Sequence, residues 1–265
     1  MGIRIHSKED FVKMRAAGRL AAEVLDFVTE HVQPGVTTNY LNDLCHEFII
    51  SHGAIPATVG YQGGSVVPFT KSICTSINHV VCHGIPSDKK LKNGDSLNID
   101  VTVILDGWHG DTSRMYYVGD VAIKPKRLIQ VTYDAMMAGI EVIKPGATLG
   151  DIGHAIQKHA EKHNYSVVRD YTGHGIGQVF HDEPAVFHYG KPGSGAVLEE
   201  GMFFTVEPMV NTGSFATILS KLDHWTVTTR DKSLSAQFEH TIGVTSDGFE
   251  IFTASPKNLL FPPYK

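Results

Sequence analysis

Two aspartates on one hairpin are the residues best spaced to do chemistry. The stretch Asn98 to Met115 reads N-I-D-V-T-V-I-L-D-G-W-H-G-D-T-S-R-M and turns at Asp106-Gly107, a two-residue signal for a type I′ hairpin. Pairing Leu105 with Trp108 sets Thr102 opposite Asp111, with Asp100 one diagonal step away on the same side. The period of two sends Ile99, Val101, Val103 and Leu105 to the other face, toward a core. Diagonal neighbours have Cβ atoms about 7–8 Å apart or somewhat less. Two carboxylates reaching across that gap suit one metal ion, or two about 3.5–4 Å apart. The same pair could serve as the acid and base of a glycosidase or as an aspartic dyad. Acids on the outer face of a hairpin ordinarily meet only water, so other ligands elsewhere in the chain must decide.

The elements that would position them come from an ordinary soluble composition. At 265 residues, 42% hydrophobic and 19% charged, the chain is long enough for a substantial core in one large domain or two small ones. A net charge of −5 argues against a nucleic-acid surface as its main business. No apolar run approaches the roughly 20 residues of a membrane span. The start M-G-I-R-I-H has neither a secretory apolar region nor the hydroxyl residue that myristoylation needs. A cytoplasmic protein is expected, with Cys45, Cys74 and Cys82 as reduced thiols.

Ser7 with Asp10 forms a capping-box signal for a helix over about 8–31, which Pro34-Gly35 stops. Thr37 or Thr38 then caps a second helix ending at Gly53. Further on, Pro125 suits the first turn of a helix running to about Val142, and Thr148 with Asp151 caps another through His163. These halves match. V-Q-P-G-V-T around Pro34 recurs as I-K-P-G-A-T around Pro145, C-H-G-I at Cys82 as G-H-G-I at Gly173, and G-D-S-L-N-I-D as G-M-F-F-T-V-E. The pattern predicts a duplication, with pseudo-repeat halves of about 8–120 and 121–253 inside one catalytic domain covering 1–265, and it makes Glu207 the counterpart of Asp100. The second half should then bring its own acid pair. Glu207 ends the apolar strand F-F-T-V-E-P, and Glu239 sits within a strand through A-Q-F-E-H-T-I-G-V. Four converging carboxylates repel unless cations neutralise them, and hard oxygens with an imidazole suit two first-row divalent ions. His174 lies between glycines that allow close backbone approach. His83 and His181 are left for substrate, and His109, on the aspartate face, is an alternative ligand.

The set carried by N-I-D-V, G-D-T-S, G-H-G-I-G, T-V-E-P-M and Q-F-E-H-T resembles the methionine aminopeptidases of peptidase family M24. C-H-G-I-P and H-D-E-P are similar to their short bacterial-type form. The resemblance implies an α+β "pita-bread" fold: two pseudo-symmetric halves with a curved, antiparallel-rich sheet covered by helices. It implies that Asp100, Asp111, His174, Glu207 and Glu239 hold two divalent ions (Co, Mn, Fe, Zn or Ni), Asp111 and Glu239 bridging them. His83 and His181 would contact substrate, with Glu207 shuttling a proton. Tyr61, Phe69, Cys74, Phe180 and Trp225 would line the methionine pocket. Asn78, Val80 and Ser235 would hold a monovalent cation. Thr58 stands where many relatives carry cysteine, and Gln62 to Pro68 is longer than in close relatives. The implied activity removes the initiator methionine of new proteins when the second residue is small. Its partner is the N-terminal peptide of a nascent chain, near the ribosome, met by a monomer with no membrane or direct nucleic-acid role. An X-Pro peptidase of the same fold is disfavoured by C-H-G-I-P and the pocket, and a non-catalytic binding protein by retention of all five ligand positions.

Overall fold

Capping sets where the helices begin. The Ser7 hydroxyl accepts from the Asp10 N–H while the Asp10 carboxylate accepts from the Ser7 N–H at 2.9 Å, opening α1 (Lys8–Val28), which runs on into the 3-10 turn Thr29–His31. The computed structural model of the chain describes residues 2–264. Thr37 caps α2 (Thr38–Ser51) through the Tyr40 N–H. α3 (Ile123–Ile140) has no side-chain cap and carries Pro125 in its first turn, where a missing N–H has no partner to lose. Thr148 and Asp151 close a second capping box on α4 (Leu149–Lys162). None of these helices is long and apolar enough to cross a membrane.

The hairpin pairs strands Ser96–Leu105 and Trp108–Tyr117 in the expected register, with Leu105 against Trp108, Thr102 against Asp111 and Asp100 against Ser113. Asp106 and Gly107 both take positive φ, 49° and 81°, as a type I′ turn requires. Ile99, Val101 and Val103 are fully buried in a core with Leu25, Leu41, Cys45 and Ile49 of α1 and α2, and Leu105 is half-buried at its edge. Helix and hairpin come close at Gly110, where a Cβ would stand 2.2 Å from the Ala17 carbonyl oxygen. On the other side of the hairpin's first strand, Cys74–Ile77 adds antiparallel and sets Cys74 opposite Asp100.

A five-stranded antiparallel sheet organises the rest, in the order Phe249–Ile251, His240–Val244, Phe203–Val206, Gly173–Gly175 and Asp182–Val186. Phe204, Phe238 and Ile242 from this region share one core with Leu128, Ile129 and Met136 of α3 and with Ile152 and Ile156 of α4. Two three-stranded sheets complete the structure, and in one of them Val80–Cys82 pairs with Val227–Thr229, far along the chain.

One expected strand is broken. Ser235–Gln237 and His240–Val244 are separate, and Glu239 between them forms an isolated bridge to Ser113 of the hairpin, its N–H donating to the Ser113 carbonyl at 3.1 Å. The interruption has a reciprocal lock. The Thr112 hydroxyl donates to the Glu239 carbonyl and the Thr241 hydroxyl to the Asp111 carbonyl, each at 2.7 Å. Backbone groups that a continuous strand would have paired with a neighbouring strand are satisfied by the hairpin instead.

A buried ion pair ties the periphery together. The Arg114 guanidinium meets the Asp26 carboxylate of α1, which also accepts from the Ser255 hydroxyl at 2.7 Å and the Lys257 N–H at 3.3 Å. Removing one partner of such a pair leaves an uncompensated charge and costs about 3–5 kcal/mol. Arg114→Met should lower the unfolding free energy by that amount in urea titrations, and the double variant with Asp26→Asn should recover part of it. A loss under about 1 kcal/mol would show that the pair behaves as a solvated one.

Candidate metal centre and substrate pocket

The reciprocal lock brings Asp111 and Glu239 together, and His174 completes a group whose ligand atoms all lie within 4.8 Å of one another. Donors around a first-row ion, with bonds of about 2.0–2.2 Å, stand up to roughly twice that distance apart. Asp100 and Glu207 line the same cavity, of about 400 Å³. The His174 Nε2 lies 3.6 Å from Asp111 Oδ2 and 3.6 Å from Glu207 Oε1.

Neighbouring hydroxyls and imidazoles fix several of these residues. Thr102, directly across the hairpin from Asp111, donates its hydroxyl to Asp111 Oδ1 at 2.8 Å. The Thr205 hydroxyl accepts from the His174 N–H at 3.0 Å and donates to Glu207 Oε1 at 2.7 Å, so one buried group orients two others. His188 accepts the Glu207 N–H on Nε2 at 3.0 Å. Burial pushes its pKa down to about 3, which keeps the ring neutral and able to accept. His174 sits on the strand Gly173–Gly175, where a Cβ would stand 2.3 Å from the Thr205 carbonyl at Gly173 and 2.0 Å from the Glu183 carbonyl at Gly175. Its Nδ1 lies 3.0 Å from the Gly175 carbonyl. A carbonyl only accepts, so Nδ1 carries the proton and Nε2 presents its lone pair to the acids.

Burial, and then the neighbouring acids, hold the Asp100 and Glu239 carboxyls well above the usual carboxylate range. Glu207 is pushed up to about 7 by burial, with His174 opposing and Asp111 adding to the rise. For His174, burial disfavours the charge, but Asp111 and Glu207 outweigh it and its pKa rises. Among the described residues, no donor reaches the carboxylates of Asp100 or Glu239. Acids crowded in this way, with oxygens unengaged and one imidazole lone pair among them, fit first-row divalent cations.

Above the acids lies the wall read from the sequence: Tyr61, Phe69, Cys74, Phe180 and Trp225 all line the cavity, together with Thr58, Cys82, Tyr171 and Met209. The segment 62–68 is tied to the 220–226 turn, since Trp225 Nε1 donates to the Val67 carbonyl at 2.9 Å and the Ser65 hydroxyl to the His224 carbonyl at 3.4 Å. His83 holds a left-handed φ of 55°, an uncommon conformation for a non-glycine residue. Gly84 behind it would place a Cβ 2.2 Å from the Thr75 carbonyl. The His83 ring is edge-on to Tyr171 and Trp225, and burial takes its pKa down to about 4. His181 stands at the exposed mouth, with its Nδ1 2.6 Å from the Tyr61 hydroxyl.

His109 lies outside both the ligand group and the cavity lining. Its Nδ1 is 3.0 Å from the Gly177 carbonyl, and its ring stacks at 5.4 Å on Phe180, which it buttresses. The Ser235 N–H donates to the Asn78 carbonyl at 2.9 Å, so these two residues meet with Val80 nearby in the chain. Sequence reasoning placed Thr102 opposite Asp111 without reading it as a donor, and it missed Thr205 and His188. In T-V-E the strand parity puts Thr205 on the same side as Glu207, a signal that was available; His188 reaches Glu207 only through the tertiary fold.

Residues 12–246 match the sequence profile of metallopeptidase family M24, and the chain belongs to that family. Two of its members, both methionine aminopeptidases, match along nearly the full length of each chain. The chain is 77% identical over 264 residues to the methionine aminopeptidase of Rickettsia prowazekii (strain Madrid E), covering 100% of both. The crystal structure of the methionine aminopeptidase from that organism superposes with a TM-score of 0.92, covering 95% of this chain and 100% of the other. The Thermotoga maritima methionine aminopeptidase, 38% identical, gives 0.91 over 95% and 99% of the two chains. A prolidase from Pyrococcus furiosus, 21% identical, shares the fold alone, with a TM-score of 0.75 over 94% of this chain and 65% of its own. The architecture is therefore the pita-bread fold expected from the sequence.

Groups that orient a metal's ligands typically change its affinity about 10–100-fold when removed. Thr205→Val should weaken divalent-ion binding by that factor in calorimetric titration, with Thr205→Ser restoring most of it. Equal affinities for Thr205→Val and the parent chain would reduce the hydroxyl to a space-filler.

Proposed function

We propose that this chain hydrolyses the peptide bond after an N-terminal methionine, releasing methionine from new polypeptides whose second residue is small. The observation that carries the proposal is the gathering of Asp111, His174 and Glu239 in one cavity with the apolar and aromatic side chains of Tyr61, Phe69, Cys74, Phe180 and Trp225. Similarity to methionine aminopeptidases along the full chain supports it. Asp100, Asp111, His174, Glu207 and Glu239 would hold two first-row divalent ions. Bound ions of this kind supply Lewis acidity and lower the pKa of water toward neutrality.

The chain's own groups do the rest. Tyr61, Phe69, Cys74, Phe180 and Trp225 take the thioether side chain into soft, apolar surroundings. The acid cluster anchors the free α-amino group, which restricts cleavage to a terminal residue. His181 donates to the scissile carbonyl oxygen and to the oxyanion that develops from it. His83 holds the nitrogen of that bond. Glu207 takes a proton from the attacking water and passes it to the leaving amine. The residue after methionine must fit between His83 and His181, so bulk is rejected there. The substrate would be met in the cytoplasm, near the ribosome, by a monomer, a setting that suits three free cysteines. We read Asn78, Val80 and Ser235 as a structural monovalent-cation site. The halves 8–120 and 121–253 we read as a duplication, which the two capping boxes and the reciprocal threonine bonds around Asp111 and Glu239 support.

Activity on a Met-Ala-Ser peptide should vanish with chelator and return on titration with divalent ions. Met-Lys-Ser and Met-Phe-Ser should be cleaved far more slowly, mainly through kcat/KM, and Ala-Pro-Ser not at all. Comparable kcat/KM for Met-Ala-Ser and Met-Phe-Ser would contradict the narrow site, and cleavage of Ala-Pro-Ser would favour a proline-directed peptidase.

Asp111→Asn offers an independent check on the ion-bridging assignment. It should abolish turnover and sharply reduce bound metal by elemental analysis. Full activity with unchanged metal content would overturn the bridge.

A further inference from the structure

Tyr61 lines the methionine pocket, but its hydroxyl is engaged elsewhere: it lies 2.6 Å from His181 Nδ1, and the two rings stack at 5.1 Å and 25°. We propose that Tyr61 is the positioning residue of His181, its O–H donating to Nδ1 and so fixing the tautomer whose Nε2–H faces the substrate carbonyl. This rests on the reading of His181 as the oxyanion donor.

Chemistry decides the direction of the bond. A neutral imidazole has one donor and one acceptor nitrogen, and a phenol is a strong donor to an unprotonated ring nitrogen. The Tyr61 hydroxyl has no other partner among the described residues, and neither does His181 Nε2. Burial raises the pKa of the Tyr61 phenol, so the hydroxyl keeps its hydrogen to donate. With Nδ1 accepting, Nε2 must carry the hydrogen. Without the phenol, the ring would also populate the Nδ1–H tautomer, which turns a lone pair toward the carbonyl oxygen where a donor is needed.

The structure holds Tyr61 firmly enough to do this. It stands at the base of the 61–69 loop, where the Phe69 N–H donates to the Tyr61 carbonyl and the Gly60 N–H to the Phe69 carbonyl, each at 2.8 Å. Gly63 packs against the ring so closely that a Cβ there would stand 2.5 Å from Tyr61 Cε1. Phe180 lies against the His181 ring at 4.1 Å and against Tyr61 at 4.8 Å, leaving neither ring free to swing aside. Extra length in 62–68 therefore lies beyond this anchor.

The test combines a double-mutant cycle with ring-nitrogen NMR on histidine-labelled protein. Tyr61→Phe keeps the pocket ring and removes only the hydroxyl. It should lower kcat on Met-Ala-Ser about tenfold, the scale of one neutral hydrogen bond, with little change in KM. His181→Ala should cost about 10²–10³-fold, and adding Tyr61→Phe to it should cost nothing more. The His181 resonances, identified by their loss in His181→Ala, should report Nε2–H alone in the parent protein and a tautomer mixture in Tyr61→Phe. Additive losses, a change in KM alone, or an Nδ1–H tautomer in the parent protein would overturn the positioning role. An inert Tyr61→Phe beside a crippled His181→Ala would overturn this proposal and leave the reading of His181 standing. An inert His181→Ala would overturn that reading, and this proposal with it.

Discussion

Like charges confined in a cavity of low polarity govern this molecule. Asp100, Asp111, Glu207 and Glu239 would separate if the chain allowed it, and the structure around them is largely a set of restraints that does not. Asp111 and Glu239 are held at the backbone, through the Ser113–Glu239 bridge and the paired threonine hydroxyls. Those bonds act on backbone groups, and among the described residues only the Thr102 hydroxyl hydrogen-bonds a carboxylate oxygen of this pair. The acids are thus fixed in position with the oxygens of Asp100 and Glu239 left without a donor among the described residues. Such a frame is preorganised for cations: the cost of bringing the acids together is met in folding, before any ion arrives.

Chemistry and selectivity occupy different parts of the architecture. The acids and His174 lie on or beside paired strands, whereas Tyr61, Trp225 and Phe180 come from connecting segments. Two hydrogen bonds join 62–68 to the 220–226 turn, so the wall is itself a small assembly laid over the sheet. Rigid strands are the more exact support for reacting groups, and loops tolerate change in what they contact.

Much of this was legible because local rules and tertiary demands agree. Asp106-Gly107 fixed a register in which Asp100 and Asp111 share a side, and the two capping boxes announced α1 and α4. Local rules failed at Glu239. Alternation through Gln237, Glu239 and Thr241 reads as one strand, yet the hairpin offers Glu239 a better partner, and nothing within nine residues encodes that. His188 was invisible for the same reason, since its partner N–H is nineteen residues away. Thr205 could have been found, because a hydroxyl two residues before a buried glutamate on a strand shares its side.

The ion pair of Arg114 with Asp26 has a consequence in time. Asp26 on α1 accepts from Ser255, 229 residues further along the chain, and Gly18 of the same helix would put a Cβ 2.6 Å from the Phe252 carbonyl. Synthesis runs from the N-terminus, so the first helix to leave the ribosome is among the last to find its full set of neighbours. Until residues 252–257 emerge, α1 has a buried-type carboxylate and an apolar flank still facing water or a chaperone. A protein whose proposed substrates are unfinished chains thus cannot complete its own first helix until its translation is almost over.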